Sequence, residues 1–426
     1  MNLIALKKIL TVTLFSGLLT LFRLASGFAI AKVVAIYTGP TGIAMLGQVQ
    51  SLFSTINGIV AAPVGNGVVR YTAEYQSFEN PVAGFEACSP WWKASLNWSI
   101  MLLAAVIPFA CFFAKPLAFW AFADAKYFWL ISIMALTLPL SVLNTLIGSV
   151  INGQHQYRRF VSLGMVSVIV ATVFMIVLVM KAHLNGAMIA AALFMSISGL
   201  VMLLGSIQQP WFRFKYWWGK TDNVPMKGIG GYVAMAVTSS ITLPIAMLMV
   251  RNILVSQVGW EQAGHFQAVY KISEVYLGVI TVALSTYFLP KLASLKGAEA
   301  ILKEIQTTAK IIMPIVFLMA VMVYLLRDVA ISIIFTESFR PARNLFAIQL
   351  LGDVLKILSW LYAYPMLSRG ATKWFMATEI IFSINFVLLA YFFIGRYGVS
   401  GANIAYTLNY FLCLIFLYIN VKRFSR

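Results

Sequence analysis

The sequence is poor in acidic residues, in cysteine and histidine, and in long polar segments. It has 13 Asp and Glu residues against 31 Lys and Arg residues, and charged residues make up 10% of the chain. The few acids, of which four are Asp, come with no large loop that could carry a catalytic acid or a metal site. These absences count against a soluble domain and against a membrane enzyme of glycan assembly.

Motifs for metal binding and nucleotide hydrolysis are missing as well. The three cysteines and the three histidines are widely separated, which predicts free thiols and no metal site. No Gly-rich phosphate loop is present, so we expect neither ATP hydrolysis nor any other cofactor. The residues concerned are Cys88, Cys111 and Cys413, and His155, His183 and His265.

Hydrophobic residues, in contrast, fill 61% of the 426 positions. A membrane span needs ~20 apolar residues, so this chain is predicted to be all-α, a polytopic membrane protein of about twelve transmembrane helices. The first span is too long for the apolar region of a signal peptide, and we expect it to be retained. The predicted spans are 10–37, 43–69, 92–114, 128–152, 159–181, 184–208, 228–257, 262–289, 310–334, 343–368, 372–395 and 399–421.

The basic residues are distributed unevenly between the loops. With the N-terminus inside, interior loops hold more than twice as many Lys and Arg residues as exterior loops. This bias predicts that both termini lie in the cytoplasm. It also accounts for the net charge of +18 without a nucleic-acid partner.

A linker that is rich in aromatic and basic residues divides the chain. Residues 209–227 contain three Trp together with Arg213, Lys215 and Lys220, a composition that suits the cytoplasmic membrane interface. We therefore predict a first six-helix lobe over 1–208 and a second over 228–426.

The two predicted lobes share a weak sequence repeat. Residues 32–39 resemble residues 251–259, because each stretch carries a cation near a span end and closes on glycine. Gly42 and Gly264 then open the following helix in each lobe. Six spans per lobe give both lobes the same orientation, which predicts pseudo-symmetric lobes around a central cavity, as in transporters.

Arg23 is the most deeply placed charge of the first predicted span. At 1.5 Å per residue it lies ~20 Å into the helix, past the bilayer centre. A cation at that depth costs ~2.5–3.5 kcal/mol on insertion scales, so it is expected to face a cavity and an anion. Lys32 and Arg251 lie nearer the outer ends of their helices, where each either snorkels to the interface or binds substrate.

Other charges inside predicted spans allow two interpretations. Lys271 with Glu274, and Asp353 with Lys356, are three residues apart on a helix face. Each pair is either a structural ion pair or part of a substrate or proton site, and Glu379, which has no partner nearby in sequence, either pairs with a cation on another helix or titrates. Arg70 follows Pro63 and Gly65–Gly67, a predicted helix break, and either meets an anionic headgroup or is an ordinary cytoplasmic cation.

Five short motifs follow one another along the chain. They are Gly39-Pro-Thr-Gly42, Gly67-Val-Val-Arg-Tyr-Thr-Ala-Glu-Tyr75, Ser240-Ile-Thr-Leu-Pro244, Leu325-Leu-Arg-Asp328 and Leu351-Gly-Asp-Val-Leu-Lys356. Taken in order, these motifs resemble the Wzx flippases of O-antigen and enterobacterial common antigen assembly. These transporters belong to the multidrug/oligosaccharidyl-lipid/polysaccharide exporter superfamily, and the resemblance runs from the first span to the last.

The resemblance implies a substrate, a location and a set of site residues. The substrate is an oligosaccharide repeat linked to undecaprenyl pyrophosphate, moved by alternating access from the cytoplasmic to the periplasmic leaflet of the bacterial inner membrane. Membrane lipids and the polymerase and chain-length proteins of the glycan pathway become candidate partners. The resemblance matches four cations, Lys32, Arg70, Arg251 and Lys356, and one acid, Asp353, while Arg23 keeps the basic type. With the charges selected from the predicted spans themselves, the candidate substrate-binding residues are Arg23, Lys32, Arg70, Arg251, Lys271 and Lys356, and the candidates for coupling or charge pairing are Asp353, Glu274 and Glu379.

Two other functions are compatible with a polytopic membrane protein. A drug or cation antiporter of the same superfamily is expected to place acids in the first lobe, but the first span carries Arg23 and Lys32 and no acid. An enzyme of glycan assembly needs a catalytic acid or a metal site on a substantial loop, which the sequence lacks. We therefore favour a transporter of an anionic lipid over an enzyme.

Overall fold

A computed structural model describes residues 3–76, 80–295 and 297–424, with the backbone alone for residues 3–16, 235, 282, 283, 286 and 290. Lys296 and both predicted cytoplasmic termini lie outside the described residues. The described part is built of α-helices joined by short turns, three of them 3₁₀ and one π-helical. The α-helices are α1 (Leu3–Ala61), α2 (Asn66–Tyr75), α3 (Pro81–Phe112), α4 (Ala114–Phe122), α5 (Phe128–Gly153), α6 (Tyr157–Ser206), α7 (Phe214–Trp217), α8 (Asn223–Val258), α9 (Trp260–Ala283), α10 (Leu289–Ser294), α11 (Ala298–Leu325), α12 (Arg327–Ile334), α13 (Phe346–Ser368), α14 (Thr372–Tyr397) and α15 (Val399–Phe424).

Nine segments of the described residues are long and apolar enough to span a membrane. Two of them, Gly17–Tyr75 and Tyr157–Ser206, have 59 and 50 residues, more than the ~20 that one span needs. The first is interrupted at Gly39 and the second at Ala182–His183, where the backbone leaves the helical region. The prediction of an all-α polytopic membrane protein is confirmed, and the count of twelve spans stays a prediction.

Two pairs of turns repeat the same backbone conformation in the two halves of the chain. Gly39 (φ 64°, ψ −161°) matches Gly259 (φ 90°, ψ 168°), the glycine at the same place in the repeat predicted from sequence. His183 (φ 44°, ψ −121°) matches Gly398 (φ 59°, ψ −141°) in the same way. Glycine adopts positive φ without strain. Because one member of the second pair is histidine, composition alone does not reveal it.

The described chain forms two compact units, each drawing on both halves of the sequence. The first unit contains residues up to Tyr37 and Val49–Ile241, and the second contains Thr38–Gln48 and Thr242 onward. The second predicted span and helix α8 are therefore each shared between the units. The lobe boundaries at 208 and 228 stay a prediction.

The linker after α6 packs on α3 inside the first unit. Trp211, Tyr216 and Trp217 are buried, and the Trp217 ring stacks on Trp92 of α3 with centroids 4.7 Å apart. The Ser89 hydroxyl on α3 donates to the Tyr216 carbonyl at 2.9 Å. Phe214 and Trp218 point outward and stack on each other instead. One side of this linker thus belongs to the protein core, and the other side leaves an exposed aromatic pair.

Glycine allows unusually close helix contacts in the second unit. A Cβ at Gly264 of α9 would overlap the backbone carbonyl of Pro40, and one at Gly401 of α15 would overlap the carbonyl of Phe393. These contacts bring Thr38–Gln48 against α9 and α14 against α15. The buried core around them contains Ala44, Ala246, Met247, Val250, Leu254, Ala263, Phe266, Tyr270, Phe386, Ala390, Ile394, Ala402, Ala405 and Tyr406.

Candidate functional site

Arg23 lies on α1 in the first unit, and its side chain is exposed at the protein surface. It forms no hydrogen bond or ion pair with any residue in the described part of the chain. Because α1 contains no Asp or Glu, this cation has no acid on its own helix to neutralise it. With respect to the described residues, the guanidinium therefore keeps its five N–H donors available for an anion.

Lys32 and Arg70 are the other predicted binding cations of the first unit. Lys32 lies nine residues beyond Arg23 on α1 and is half-buried. Arg70 lies on α2, just after the turn at Ala62–Val64, so the predicted break of the second span is present. Its guanidinium donates to the Tyr232 hydroxyl at 2.8 Å and lies 3.6 Å from the Glu74 carboxylate. Arg70 is thus fixed by neighbours, whereas Arg23 is not.

Arg251 is buried in the second unit, with only 1% of its surface exposed. Its Nε donates to Gln48 Oε1 at 2.8 Å, and one terminal nitrogen donates to Gln267 Oε1 at 2.7 Å. Gln48 in turn donates to Asn252 at 2.6 Å. Neutral amide oxygens thus accept from two of its donors in place of water, which solvates the cation without cancelling its charge.

Asp353 of α13 is fully buried and held by hydroxyl and amide groups. Tyr276 donates to one carboxylate oxygen at 2.7 Å, while Tyr406 and Gln349 donate to the other at 2.9 and 3.1 Å. Gln349 also accepts a hydrogen bond from Asn403 at 2.8 Å. This continuous polar network links α9, α13 and α15 and fixes the carboxylate in place.

Lys356 lies one turn after Asp353, and its ammonium is surrounded by aromatic rings. Its Nζ is 5.0 Å from the ring centre of Trp360, 5.4 Å from Tyr410, 5.7 Å from Tyr406 and 6.0 Å from Tyr270. These distances are within the range of cation–π attraction. No direct ion pair joins Lys356 to Asp353 in the described part of the chain, although the two interact electrostatically.

The remaining predicted charges complete the cluster in the second unit. Lys271 Nζ and the Glu274 carboxylate form an ion pair at 3.3 Å. Glu379 accepts a hydrogen bond from Thr242 at 3.1 Å, and it lies within electrostatic range of Lys356, as does Glu274. Three predicted cations and three predicted acids thus lie in this unit, so the charges of this cluster balance. The cations are Arg251, Lys271 and Lys356, and the acids are Glu274, Asp353 and Glu379.

Sequence reasoning identified the charged residues but missed the residues that hold them. Nothing in the sequence distinguishes the four aromatic residues around Lys356 from other aromatic residues on apolar helix faces. Likewise, nothing distinguishes Gln48 and Gln267 from other polar residues. Spacing was the one indication in the sequence. Trp360 follows Lys356 by four residues and Tyr410 follows Tyr406 by four, which places each pair on one face of a helix. That the pairs meet depends on the packing of α13 against α15, which no local pattern contains.

Comparison with known proteins agrees with this architecture. The chain is 26% identical over 415 residues to the protein named Lipid III flippase of Escherichia coli (strain K12), covering 95% of this chain and 97% of that protein. It shares its fold with a multidrug resistance MATE family transporter of the MOP superfamily in an inward-facing conformation (TM-score 0.75, 15% identity, 96% and 95% of the two chains). A structure of the lipid II flippase MurJ is also similar (TM-score 0.72, 15% identity, 97% and 87%).

These similarities confirm the resemblance predicted from the sequence motifs. The family profile described as polysaccharide biosynthesis protein matches residues 93–344, which is more than half of the chain and reaches into both compact units. The chain therefore belongs to the polysaccharide biosynthesis protein family.

Proposed function

We propose that this protein is a flippase for an oligosaccharide linked to undecaprenyl pyrophosphate. It moves this lipid from the cytoplasmic to the periplasmic leaflet of the bacterial inner membrane, with both of its own termini in the cytoplasm. One observation carries the proposal, namely that the exposed Arg23, on an apolar helix of a chain related to Lipid III flippase, has no partner among the described residues. A drug or cation antiporter has no use for an uncompensated cation at this place.

The energetics of the membrane potential favour export of such a substrate. Moving one charge through 100 mV is worth ~2.3 kcal/mol, and a pyrophosphate of charge near −2 gains by leaving a negative interior. The barrier is the loss of phosphate hydration, which an arginine replaces with two parallel charged hydrogen bonds. Alternating access of the two units would carry the headgroup across.

The two units take different parts in this proposal. Arg23 and Lys32 bind the pyrophosphate in the first unit, and Arg70 lies at the cytoplasmic entrance. The second unit contributes the cations Arg251, Lys271 and Lys356, of which only Lys271 is not fully buried, and the acids Asp353, Glu274 and Glu379 balance their charge. Any coupling of transport to protons or sodium would use these three acids, which lie within predicted spans.

Substitutions at Arg23 test the proposal through charge and shape. Arg23→Lys keeps the charge but loses the bidentate geometry, so it should retain partial export. Arg23→Gln should lower the export rate tenfold or more, since a hydrogen bond to a charged group is worth ~1.5–3 kcal/mol. Arg23→Glu should abolish export. The measurement is glycan display in cells that lack their own flippase, at matched protein level.

Lys115→Gln supplies the control, because Lys115 is an exposed cation next to the loop after α3. It should export at the wild-type rate. If Arg23→Gln and Arg23→Glu also display wild-type amounts of glycan, Arg23 does not bind the headgroup and the proposal fails.

A further inference from the structure

Three aromatic rings of the first unit lie nearly parallel at the end of α2. The rings of Tyr71 and Trp91 are in face-to-face contact, with centroids 3.4 Å apart and planes 13° from parallel. Tyr75 extends the group, 5.8 Å from Trp91 and 6.5 Å from Tyr71, with planes inclined at 20° and 25°. We call Tyr71, Tyr75 and Trp91 the aromatic platform.

The inner part of the platform is rigid and the outer part is accessible. Tyr71 and Trp91 are buried, and a Cβ at Gly228 would lie 2.8 Å from the Tyr71 hydroxyl and 2.7 Å from the Trp91 ring. Tyr232 closes the inner side edge-on to Tyr71. Tyr75 is 39% exposed, so it presents a ring to the surroundings that its neighbours hold in place.

A charged pair borders the exposed ring. The Arg70 guanidinium and the Glu74 carboxylate are 3.6 Å apart, and their side chains are 58% and 47% exposed. Arg70 is oriented by the Tyr232 hydroxyl and by the face of Tyr71, 5.2 Å away. The Arg70–Glu74 border therefore offers fixed donors beside fixed acceptors, with no net charge.

We infer that the aromatic platform and the Arg70–Glu74 border bind the sugar portion of the transported lipid. The apolar C–H face of a pyranose fits an exposed ring, while neighbouring hydroxyls both donate to a carboxylate and accept from a guanidinium. A neutral border suits hydroxyl groups better than a phosphate, which would be repelled by Glu74. The inference rests on the proposed flippase function and assigns the sugar to a different place from the pyrophosphate.

The exposed pair formed by Phe214 and Trp218 is a second aromatic surface of the first unit, and its composition is typical of a membrane-interface anchor. Its two stacked rings are accompanied by the cations Arg213, Lys215 and Lys220 and by no acid within 209–221. Such a surface suits anionic lipid headgroups. The platform differs because its border includes a carboxylate, and the Phe214–Trp218 pair therefore serves as the control surface.

Binding of two lipids to the full chain, purified in detergent, tests the inference. One probe is undecaprenyl pyrophosphate, and the other is the same lipid carrying a trisaccharide of neutral N-acetylated sugars. Tyr75→Ala should raise the Kd of the glycosylated probe about tenfold, the lower end of what loss of one aromatic ring costs a stacked nucleobase, and leave the Kd of the bare lipid unchanged. Glu74→Gln should raise the Kd of the glycosylated probe severalfold. Tyr75→Phe and Trp218→Ala should leave both values unchanged.

Each other outcome overturns the inference in a recognisable way. Equal affinity of the wild-type chain for the two probes means that the sugars are not bound. An equal loss of affinity for both probes in Tyr75→Ala means that the ring supports the headgroup site or the fold, and the unfolding temperature of this variant separates these cases. If Tyr75→Ala changes neither Kd, the aromatic platform does not bind the sugar. The flippase proposal still stands in that case if Arg23→Gln raises the Kd of both probes. Failure of the wild-type chain to bind either probe overturns the proposed function itself.

Discussion

Tyr406 is the residue through which two buried charges of opposite sign act on each other. Its hydroxyl donates to Asp353 at 2.9 Å, and the centre of its ring lies 5.7 Å from the Lys356 ammonium. The negative face of the ring stabilises the cation while the hydroxyl proton stabilises the anion. Both charges are kept in a buried place without an ion pair that would tie them directly together.

The cluster around Lys356 predicts that a free amine can replace its side chain. Lys356→Ala leaves four aromatic rings and the Asp353 carboxylate around an empty volume, so we expect loss of stability of ~3–5 kcal/mol from the unpaired charge. Propylammonium, which matches the deleted atoms, should raise the unfolding temperature of this variant and restore part of its transport. Equal effects of propylammonium and the neutral 1-propanol would contradict the cation–π interpretation. Lys356→Met, which keeps the volume without the charge, is the control that should respond to neither.

His183 predicts a stabilising substitution. Its φ of 44° with ψ of −121° is a conformation suited to glycine, which its counterpart Gly398 supplies in the second half. Such strain costs ~1–3 kcal/mol, and the stacking of exposed His183 on Tyr37 offsets only part of it. His183→Gly should therefore stabilise the protein by about 1 kcal/mol and raise its unfolding temperature, and Gly398→Ala should lower the unfolding temperature.

His183→Ala separates strain from stacking in the same measurement, because it keeps the strained backbone and removes the ring. We expect it to be less stable than the wild-type chain. If His183→Gly is also less stable, the ring contact with Tyr37 outweighs the strain.

Single residues show how far sequence reasoning reaches into the site. The depth of Arg23 in an apolar run marked it as exceptional, and the cost of a charge in lipid is a local property of the sequence. The i,i+3 spacing correctly placed Lys271 beside Glu274. The same spacing did not show that Lys356 points to aromatic rings, because those rings come from α9, α13 and α15.

Among the elements, α9 shows most clearly how small residues decide which helices touch. Gly264, near the start of α9, lies against the Pro40 carbonyl in the segment Thr38–Gln48. Gly47 of that segment lies against Gln267 of α9. Gln267 is then positioned to accept from Arg251. The close approach of Thr38–Gln48 to α9 thus delivers two of the amides that solvate Arg251.

This contact predicts opposite results for two glycines of one helix. Gly264→Ala forces a methyl group into backbone, which cannot move as a side chain can, so overpacking should destabilise the chain by about 1–3 kcal/mol. Gly278, which lies in the same helix with nothing within 4 Å of its Cβ position, is the matched control. Gly278→Ala should be neutral or stabilising by ~0.5–1 kcal/mol.

Thermal unfolding in detergent and the yield of folded protein measure both variants. If Gly264→Ala unfolds at the same temperature as Gly278→Ala, the segment Thr38–Gln48 is not held at α9 in the way the structure places it.

The linker shows why some elements escape sequence analysis. The composition of the linker indicates that it lies at a membrane interface, and the exposure of Phe214 and Trp218 agrees with that prediction. Trp211, Tyr216 and Trp217 instead enter the core against α3. The alternation follows neither a helical nor a strand period, so only the packing partner determines which rings are buried.

At the scale of the whole molecule, the helical membrane architecture follows from composition. Apolar runs of span length leave few alternatives in lipid, since every backbone group must be satisfied within its own helix. The division into units is different, because Thr38–Gln48 joins the second unit and α8 contributes residues up to Ile241 to the first. This exchange depends on contacts far apart in sequence and leaves no mark on local hydropathy.

The charge bias of the loops predicts the topology. Reporter fusions at Lys126 and Arg396 should report the periplasm, and fusions at Lys220 and after Arg426 should report the cytoplasm. The measurement is paired alkaline phosphatase and fluorescent protein activity in cells. An odd number of spans in either half, shown by Lys220 reporting the periplasm, would contradict the arrangement of two equivalent lobes.

The exchange of segments has a consequence for how the protein is made. Gln48 leaves the ribosome 203 residues before Arg251, the cation that it solvates in the finished protein. At ~5–20 residues per second, the segment Thr38–Gln48 waits roughly 10–40 s for its unit to be synthesised. During that time a polar side chain is already within the membrane and its partner does not yet exist. We therefore expect the early helices to stay at the insertion machinery, rather than enter the lipid one by one, until the second half of the chain has been synthesised.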